Sequence, residues 1–196
     1  MHVCLSNLQV GYSIPLCGIE KYETRATRVK VAGKNGLGKT ALLLGLGGLR
    51  STVRGRIEID GSSTSETTRA NISGVMSDAV AIPNATVSQV TQYIGAIAEA
   101  SFDLSKHIEK LGLAPFANES CSRVSAGTQQ KIRFLAAIAR QPPWLLLDEP
   151  FDHLDTVSHS YVFDQIKSYP GTVWFTDHSG VMDGDDTLSL YRHASA

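Results

Sequence analysis

This chain is poor in the features that mark specialised classes of protein. It has three cysteines, Cys4, Cys17 and Cys121. They are odd in number, far apart and without a C-x-x-C pair, so neither a disulfide framework nor a zinc site is expected, and a reducing compartment suits the chain. There is no excess of either charge: 18 Lys plus Arg stand against 19 Asp plus Glu, a net charge of -1. Without a basic run, no nucleic-acid partner is expected, since phosphate neutralisation needs clustered Lys and Arg. The first residues lack the basic end and apolar core of a secretory signal, so export of the chain itself is not expected. The uncharged stretch 79–98 is long enough to cross a bilayer, but Pro83, Asn84, Gln89 and Gln92 interrupt its hydrophobicity. A soluble protein is the expectation.

What remains is 196 residues with 42% hydrophobic content, enough to bury well over half the unfolded surface in one domain or one domain with an insertion. Strand signals at 29–32, 56–59, 72–76, 144–147 and 173–176 alternate with helical periodicity, beginning with a helix over 40–49. The runs at 144–147 and 173–176 are apolar throughout, as in a parallel sheet covered on both faces. Residues 62–68 are a polar loop. Helices are predicted over 87–100, 104–111 and 128–140, the last with Ile132, Leu135, Ala136 and Ile138 inward, and 112–125 is loop-like. The fold class expected is α/β, a mostly parallel core sheet with a small antiparallel β region near the N-terminus. The expected division is a core of 1–84 and 131–196 with a helical insertion over 85–130.

Gly33-Lys34-Asn35-Gly36-Leu37-Gly38-Lys39-Thr40 fits G-x-x-x-x-G-K-[ST] between a strand and a helix. Glycines let backbone N–H groups surround phosphate oxygens, and the start of the helix, with Ala41, adds its positive dipole end. Lys39 supplies a point charge and the Thr40 hydroxyl a ligand for Mg²⁺. The strand Trp144-Leu145-Leu146-Leu147 ends in Asp148-Glu149. Successive residues at a strand end point different ways, so Asp148 can reach the Mg²⁺ shell while Glu149 faces the terminal phosphate as general base or water orienter, with His178 nearby.

In this order and spacing the motifs resemble the ATP-binding cassette family, the ATPase subunits of ABC transporters, over essentially the whole chain. Val124-Ser125-Ala126-Gly127-Thr128 resembles the family's Leu-Ser-Gly-Gly-Gln signature. The resemblance implies that Ser125, Ala126 and Gly127 meet ATP held by an opposite subunit, and that Leu154-Asp155 is the D-loop of a dimer interface. It also implies that His178, in Thr176-Asp177-His178, contacts the γ-phosphate, and that Tyr12 stacks on adenine; taken alone, Tyr12 is equally a strand residue. ATP and Mg²⁺ are the implied cofactors. The implied partners are separate transmembrane subunits and, in an ATP-dependent dimer, a second copy of the chain or a sister cassette, placing the chain on the cytoplasmic face of the cell membrane.

Two departures stand out. Where the family has a glutamine at the end of a core strand, this chain has Ser77 followed by Asp78. Either a bridging water or Asp78 then takes over its contacts, or coupling to the partner is weakened. The signature has Ala126 and Thr128 for a glycine and a glutamine. With 32 residues before Gly33 and 18 after His178, a minimal cassette is expected. The alanine-containing signature resembles exporter subunits, so a subunit powering export is expected; the alternative is a soluble, non-transport cassette acting on a protein or cluster-assembly complex. Residues 80–92 are either a docking surface for a membrane partner or part of the helical packing.

Overall fold

A computed structural model of the chain describes residues 1–11, 15–49, 53–78 and 84–190. Two sheets share the fold. The antiparallel one orders β2 (Pro15–Thr24), β1 (Val3–Gly11), β4 (Val53–Ile59) and β5 (Ser62–Ser63). The parallel one orders β6 (Ser73–Met76), β7 (Trp144–Leu147), β8 (Thr172–Phe175), β3 (Arg28–Ala32) and β9 (Asp186–Ser189). Six α-helices are described, α1 (Lys39–Leu46), α2 (Glu66–Ile72), α3 (Val87–Ile97), α4 (Leu104–Lys110), α5 (Ala126–Ile138) and α6 (Thr156–Ser168), with one 3-10 turn at Ala114–Phe116.

Side-chain alternation builds two cores on one sheet. Trp144 and Leu146 of β7 and Trp174 of β8 pack with Leu42, Leu43 and Leu46 of α1 and with Leu5 and Leu8 of β1. The intervening Leu145, Leu147, Val173 and Phe175 pack on the other face with Ile132 and Leu135 of α5, Val162 and Ile166 of α6, and Val87 and Ile94 of α3. This is why these strands are apolar throughout. Trp144 and Trp174 meet edge to face at 5.5 Å between centroids.

β1 shows how the smaller sheet keeps its apolar side inward. Val3 and Leu5 are buried at odd positions, Leu8 and Val10 at even ones. The parity changes at Asn7, whose φ is 51°, where the register with β4 shifts between Ser6 and Gln9. One extra residue sends the following side chains to the opposite face. On the neighbouring strand Gly55, at φ +116°, passes so close that a Cβ would lie 2.4 Å from the Asn7 carbonyl oxygen.

The α/β class, the parallel core and the antiparallel N-terminal region are as expected. The element ends differ, and for local reasons. Helix α1 stops at Leu46, before Gly47 and Gly48, the latter left-handed at φ +68°. Ile72 closes α2, so its strand begins at Ser73; the polar stretch 62–68 holds β5 and the start of α2, whose N-cap Ser65 accepts from the Thr68 N–H. Ala136 faces solvent, and Phe134 and Ala137 are buried in its stead. β9 and α6 carried no reading from sequence. Among the described residues no helix is long and apolar enough to cross a membrane.

Arg28 locks the end of α6 to β3. Its guanidinium donates to the carbonyls of Thr27 and Gly171, each at 2.9 Å, of Lys167 at 3.2 Å, and of Tyr169. These include carbonyls a helix end leaves without intrahelical partners. Arg28→Leu keeps the apolar stem and removes every donor, so it is expected to lower the unfolding free energy by about 2 kcal/mol or more, read as a lower urea midpoint at unchanged slope.

Candidate functional site

The carboxyl ends of parallel strands carry the site, the place where open α/β sheets leave a crevice. From β3 the chain enters the loop 33–38, with Gly36 at φ +82° and Gly38 at φ +86°. Gly38 is the N-cap of α1 and puts no side-chain oxygen on the helix start. The backbone there is open to an anion, which the helix dipole favours. Lys39 folds back so that Nζ donates to the Gly33 carbonyl at 2.9 Å. Lys34 and Asn35 lie exposed on the loop, Leu37 is half-buried, and Ala41 is buried in the first turn of α1.

Asp148, just past β7, collects hydroxyls from three other segments. Its Oδ2 accepts from Thr40 Oγ1 at 2.7 Å and Ser77 Oγ at 3.2 Å, and its Oδ1 accepts from Thr176 Oγ1 at 2.9 Å. Ser77 and Thr176 are fully buried. Thus Ser77 stands beside Asp148, and Asp78 turns away to pair with Arg133 of α5 at 2.7 Å. The Thr40 hydroxyl and the Asp148 carboxylate are hard oxygen donors on one spot, the chemistry that suits Mg²⁺.

Glu149 follows in a left-handed conformation, φ 46°. Its Oε2 accepts from the His178 backbone N–H at 3.1 Å and lies 2.8 Å from His178 Nδ1. That hydrogen bond and the Glu149 charge, with Asp152 beyond, raise the His178 imidazole above its ordinary value. The loop after His178 is folded around Asp177, which accepts from the N–H groups of Ser179, Gly180 and Met182 and lies 3.7 Å from Lys30 Nζ.

The segment 125–127 packs elsewhere. Ser125 is the N-cap of α5, its Oγ accepting from the Thr128 N–H at 3.1 Å. A Cβ on Gly127 would lie 2.3 Å from the His153 carbonyl oxygen, so Ala126 tolerates a methyl where its neighbour does not. Lys131, four residues on, pairs with Asp155. A cavity of about 460 Å³ opens here, lined by Ser125, Gly127, Lys131, His153 and Asp155 among others. Tyr12 lies outside the described residues, as do 80–83 of the stretch 80–92. In the rest of that stretch Val87, Val90 and Thr91 are buried, and Gln89 and Gln92 are exposed.

Two residues of this site carried no role in the sequence reading. Thr176 serves both carboxylate residues, donating to Asp148 and accepting from the Glu149 N–H at 2.7 Å; a hydroxyl closing an apolar strand was its only signal. Gln130, buried on α5, donates to the Glu149 carbonyl at 2.8 Å, a contact no spacing rule announces.

A family model described as ABC transporter matches residues 22–152. The Aliphatic sulfonates import ATP-binding protein SsuB 2 of Agrobacterium fabrum is 29% identical over 162 residues, covering 83% of this chain and 62% of that protein. A bacterial Atm1-family ABC exporter solved with ATP bound shares the fold at TM-score 0.81 and 21% identity, over 96% of this chain and 37% of that one. An ATP binding subunit of an ABC transporter shares it at TM-score 0.79 and 19% identity, over 97% of this chain and 86% of that one. The chain spans between 44% and 66% of the length of the first curated relatives it matches.

The Lys131–Asp155 pair yields a pH dependence. Lys131, and then the Ser158 N–H, hold the Asp155 carboxyl well below the usual range. Its stabilising contribution is complete above the unfolded value near 3.9 and is lost as pH falls through the lower folded value. Asn caps helices as well as Asp, so Asp155→Asn isolates the charge. We expect a lower melting temperature at pH 7 and a difference from wild type that shrinks below about pH 4; a gap independent of pH would remove the ion pair as its cause.

Proposed function

The chain belongs to the ABC transporter family, and from that premise we propose that it is the ATP-hydrolysing subunit of a membrane transporter, a cassette that dimerises around ATP and reopens after hydrolysis. The observation that carries this reading is the convergence of the uncapped start of α1, the Thr40–Asp148 pair and the Glu149–His178 pair at one edge of the parallel sheet. ATP is the substrate. The loop Gly33 to Gly38 and the first turn of α1 bind its phosphates, Lys39 leaving the Gly33 carbonyl to reach them, and Tyr12 stacks on the adenine.

Thr40 and Asp148 would hold Mg²⁺, which when bound neutralises charge on the phosphate oxygens. Glu149 orients the attacking water and takes its proton; Oε2 is engaged by His178, which leaves Oε1 for the water. His178, its imidazole held toward the protonated form by Glu149, presents a donor to the γ-phosphate. Ser77 steadies Asp148 from the position where the family has a glutamine.

Ser125, Ala126 and Gly127 face a second cassette's ATP across the dimer. The opening beside them, lined by Ser125 and Lys131, supports a ligand on that side. In this reading residues 85–130 form the helical, signature-bearing subdomain of a core made of 1–84 and 131–196. Separate transmembrane subunits dock on its exposed face, where Gln89, Gln92 and Tyr93 are open to solvent, and hold the cassette on the cytoplasmic side of the membrane. The Atm1-family likeness and the Ser125-Ala126-Gly127 signature favour export, whereas the name of the sulfonate relative describes import.

Two substitutions test the reading. Glu149→Gln keeps the size of the side chain and removes the proton acceptor, so it should retain ATP, abolish turnover and accumulate a closed dimer. Captured from detergent-solubilised cells in ATP, it is expected to bring a stoichiometric integral membrane protein whose cargo decides the direction. Only soluble partners would overturn the transporter role, and wild-type hydrolysis would remove Glu149 from the chemistry. Lys39→Ala should weaken ATP binding by about tenfold or more, equivalent to roughly 1.4 kcal/mol, in a direct titration; unchanged affinity would refute the phosphate-loop assignment.

A further inference from the structure

Glu149 sits where its own chemistry does not put it. A glutamate gains nothing locally from left-handed backbone, and the proline that follows, Pro150, pushes the residue before it toward extended conformations. Yet its φ is 46°. A residue held against both preferences is held by its surroundings, and here each flanking peptide group has a side-chain partner. The Glu149 N–H donates to Thr176 Oγ1 at 2.7 Å. Its carbonyl accepts from Gln130 Nε2 at 2.8 Å, and from the Asp152 N–H at a longer 3.2 Å.

Gln130 comes from a rigid support. It is 4% exposed and follows Gly127 on α5 by three residues, with Lys131 following Gly127 by four, the spacings that bring both beside that glycine. All three touch the segment that Glu149 begins: Gly127 rests on the His153 carbonyl, Gln130 on the Glu149 carbonyl and Lys131 on Asp155. The helix that carries Ser125 at its N-cap therefore also sets the peptide of the carboxylate.

We propose that Gln130 is a positioning residue for Glu149, holding its peptide in the left-handed conformation that turns the carboxylate onto His178. This rests on the reading of Glu149 as the group that activates water. Without the Gln130 donor the Glu149 peptide relaxes toward the extended region that Pro150 favours, and the Cα–Cβ bond swings away from His178. Gln130→Met tests this with little change of shape, and the Asp152 N–H still satisfies the carbonyl.

The first readout needs no turnover. The His178 imidazole is titrated by NMR in the full chain, as wild type, Glu149→Gln and Gln130→Met. In wild type it should titrate above the ordinary value of about 6.5. Glu149→Gln should return it toward that value, and Gln130→Met should reproduce most of that fall. The second readout is hydrolysis: Gln130→Met should lower kcat roughly tenfold to a hundredfold, the scale of a small misplacement of a reacting group, with KM for ATP changed less than about twofold.

Gln130→Glu supplies a variant with its own signature. Its ionised carboxylate cannot donate, but its protonated form can, so its rate relative to wild type should climb as pH falls through that group's titration. The same ratio for Gln130→Met should stay flat. A His178 titration and a kcat unchanged by Gln130→Met, or a Gln130→Glu ratio independent of pH, would overturn the proposal. If Glu149→Gln hydrolyses ATP at the wild-type rate, the reading of Glu149 falls instead, and the His178 titration still judges Gln130.

Discussion

The Asp148 carboxylate is the joint on which the rest of the site depends. Ser77 and Thr176 are fully buried hydroxyls, and a hydroxyl taken from water without a partner costs on the order of 1–3 kcal/mol. Asp148 satisfies both and adds Thr40, so one side chain joins α1 to the segments following β6, β7 and β8. In return both carboxylate oxygens are fixed before any cation arrives. Thr176 then passes the constraint to the Glu149 N–H, so the Asp148 and Glu149 carboxylates share one support.

A second set of contacts runs along α5. Gln130 and Lys131 reach the stretch between β7 and α6, at Glu149 and Asp155, and Arg133 reaches Asp78 after β6. Beneath them Ile132 and Leu135 belong to the same apolar cluster as Leu145, Leu147 and Phe175. Gly127 needs its bare Cα because the His153 carbonyl occupies the space of a side chain. Helix α5 thus closes on the core through packing and polar bonds together.

Much of this was legible in the residues. The loop 33–38 reads directly because its glycines and Lys39-Thr40 act through local backbone geometry, and 144–149 reads because an apolar run meeting two carboxylates is local too. Other features were hidden by their nature. Ala136 fits the helical stripe by sequence but faces solvent, because a stripe is wide and only the neighbours decide which edge is covered. The stretch 156–168, with Ser and His among few apolar positions, shows weak periodicity, yet α6 forms because Asp155 caps it and Val162 and Ile166 reach the core. Nor does a period of two foresee a change of parity at Asn7.

The sequence by itself determined the family, the α/β class, the glycine loop before α1 and the identities of Asp148, Glu149 and His178 as the acidic and imidazole groups at strand ends. These depend on spacing along the chain, and short-range geometry converts spacing into direction. Only the tertiary structure decided that Ser77 serves Asp148, that Thr176 joins the two carboxylates, that Asp78 is engaged by Arg133 and that Gln130 holds the Glu149 peptide. Each of those bonds joins residues 19 to 71 positions apart. Their geometry exists only once the parallel strands and α5 have packed, because burial is what obliges a hydroxyl or an amide to find one partner among many.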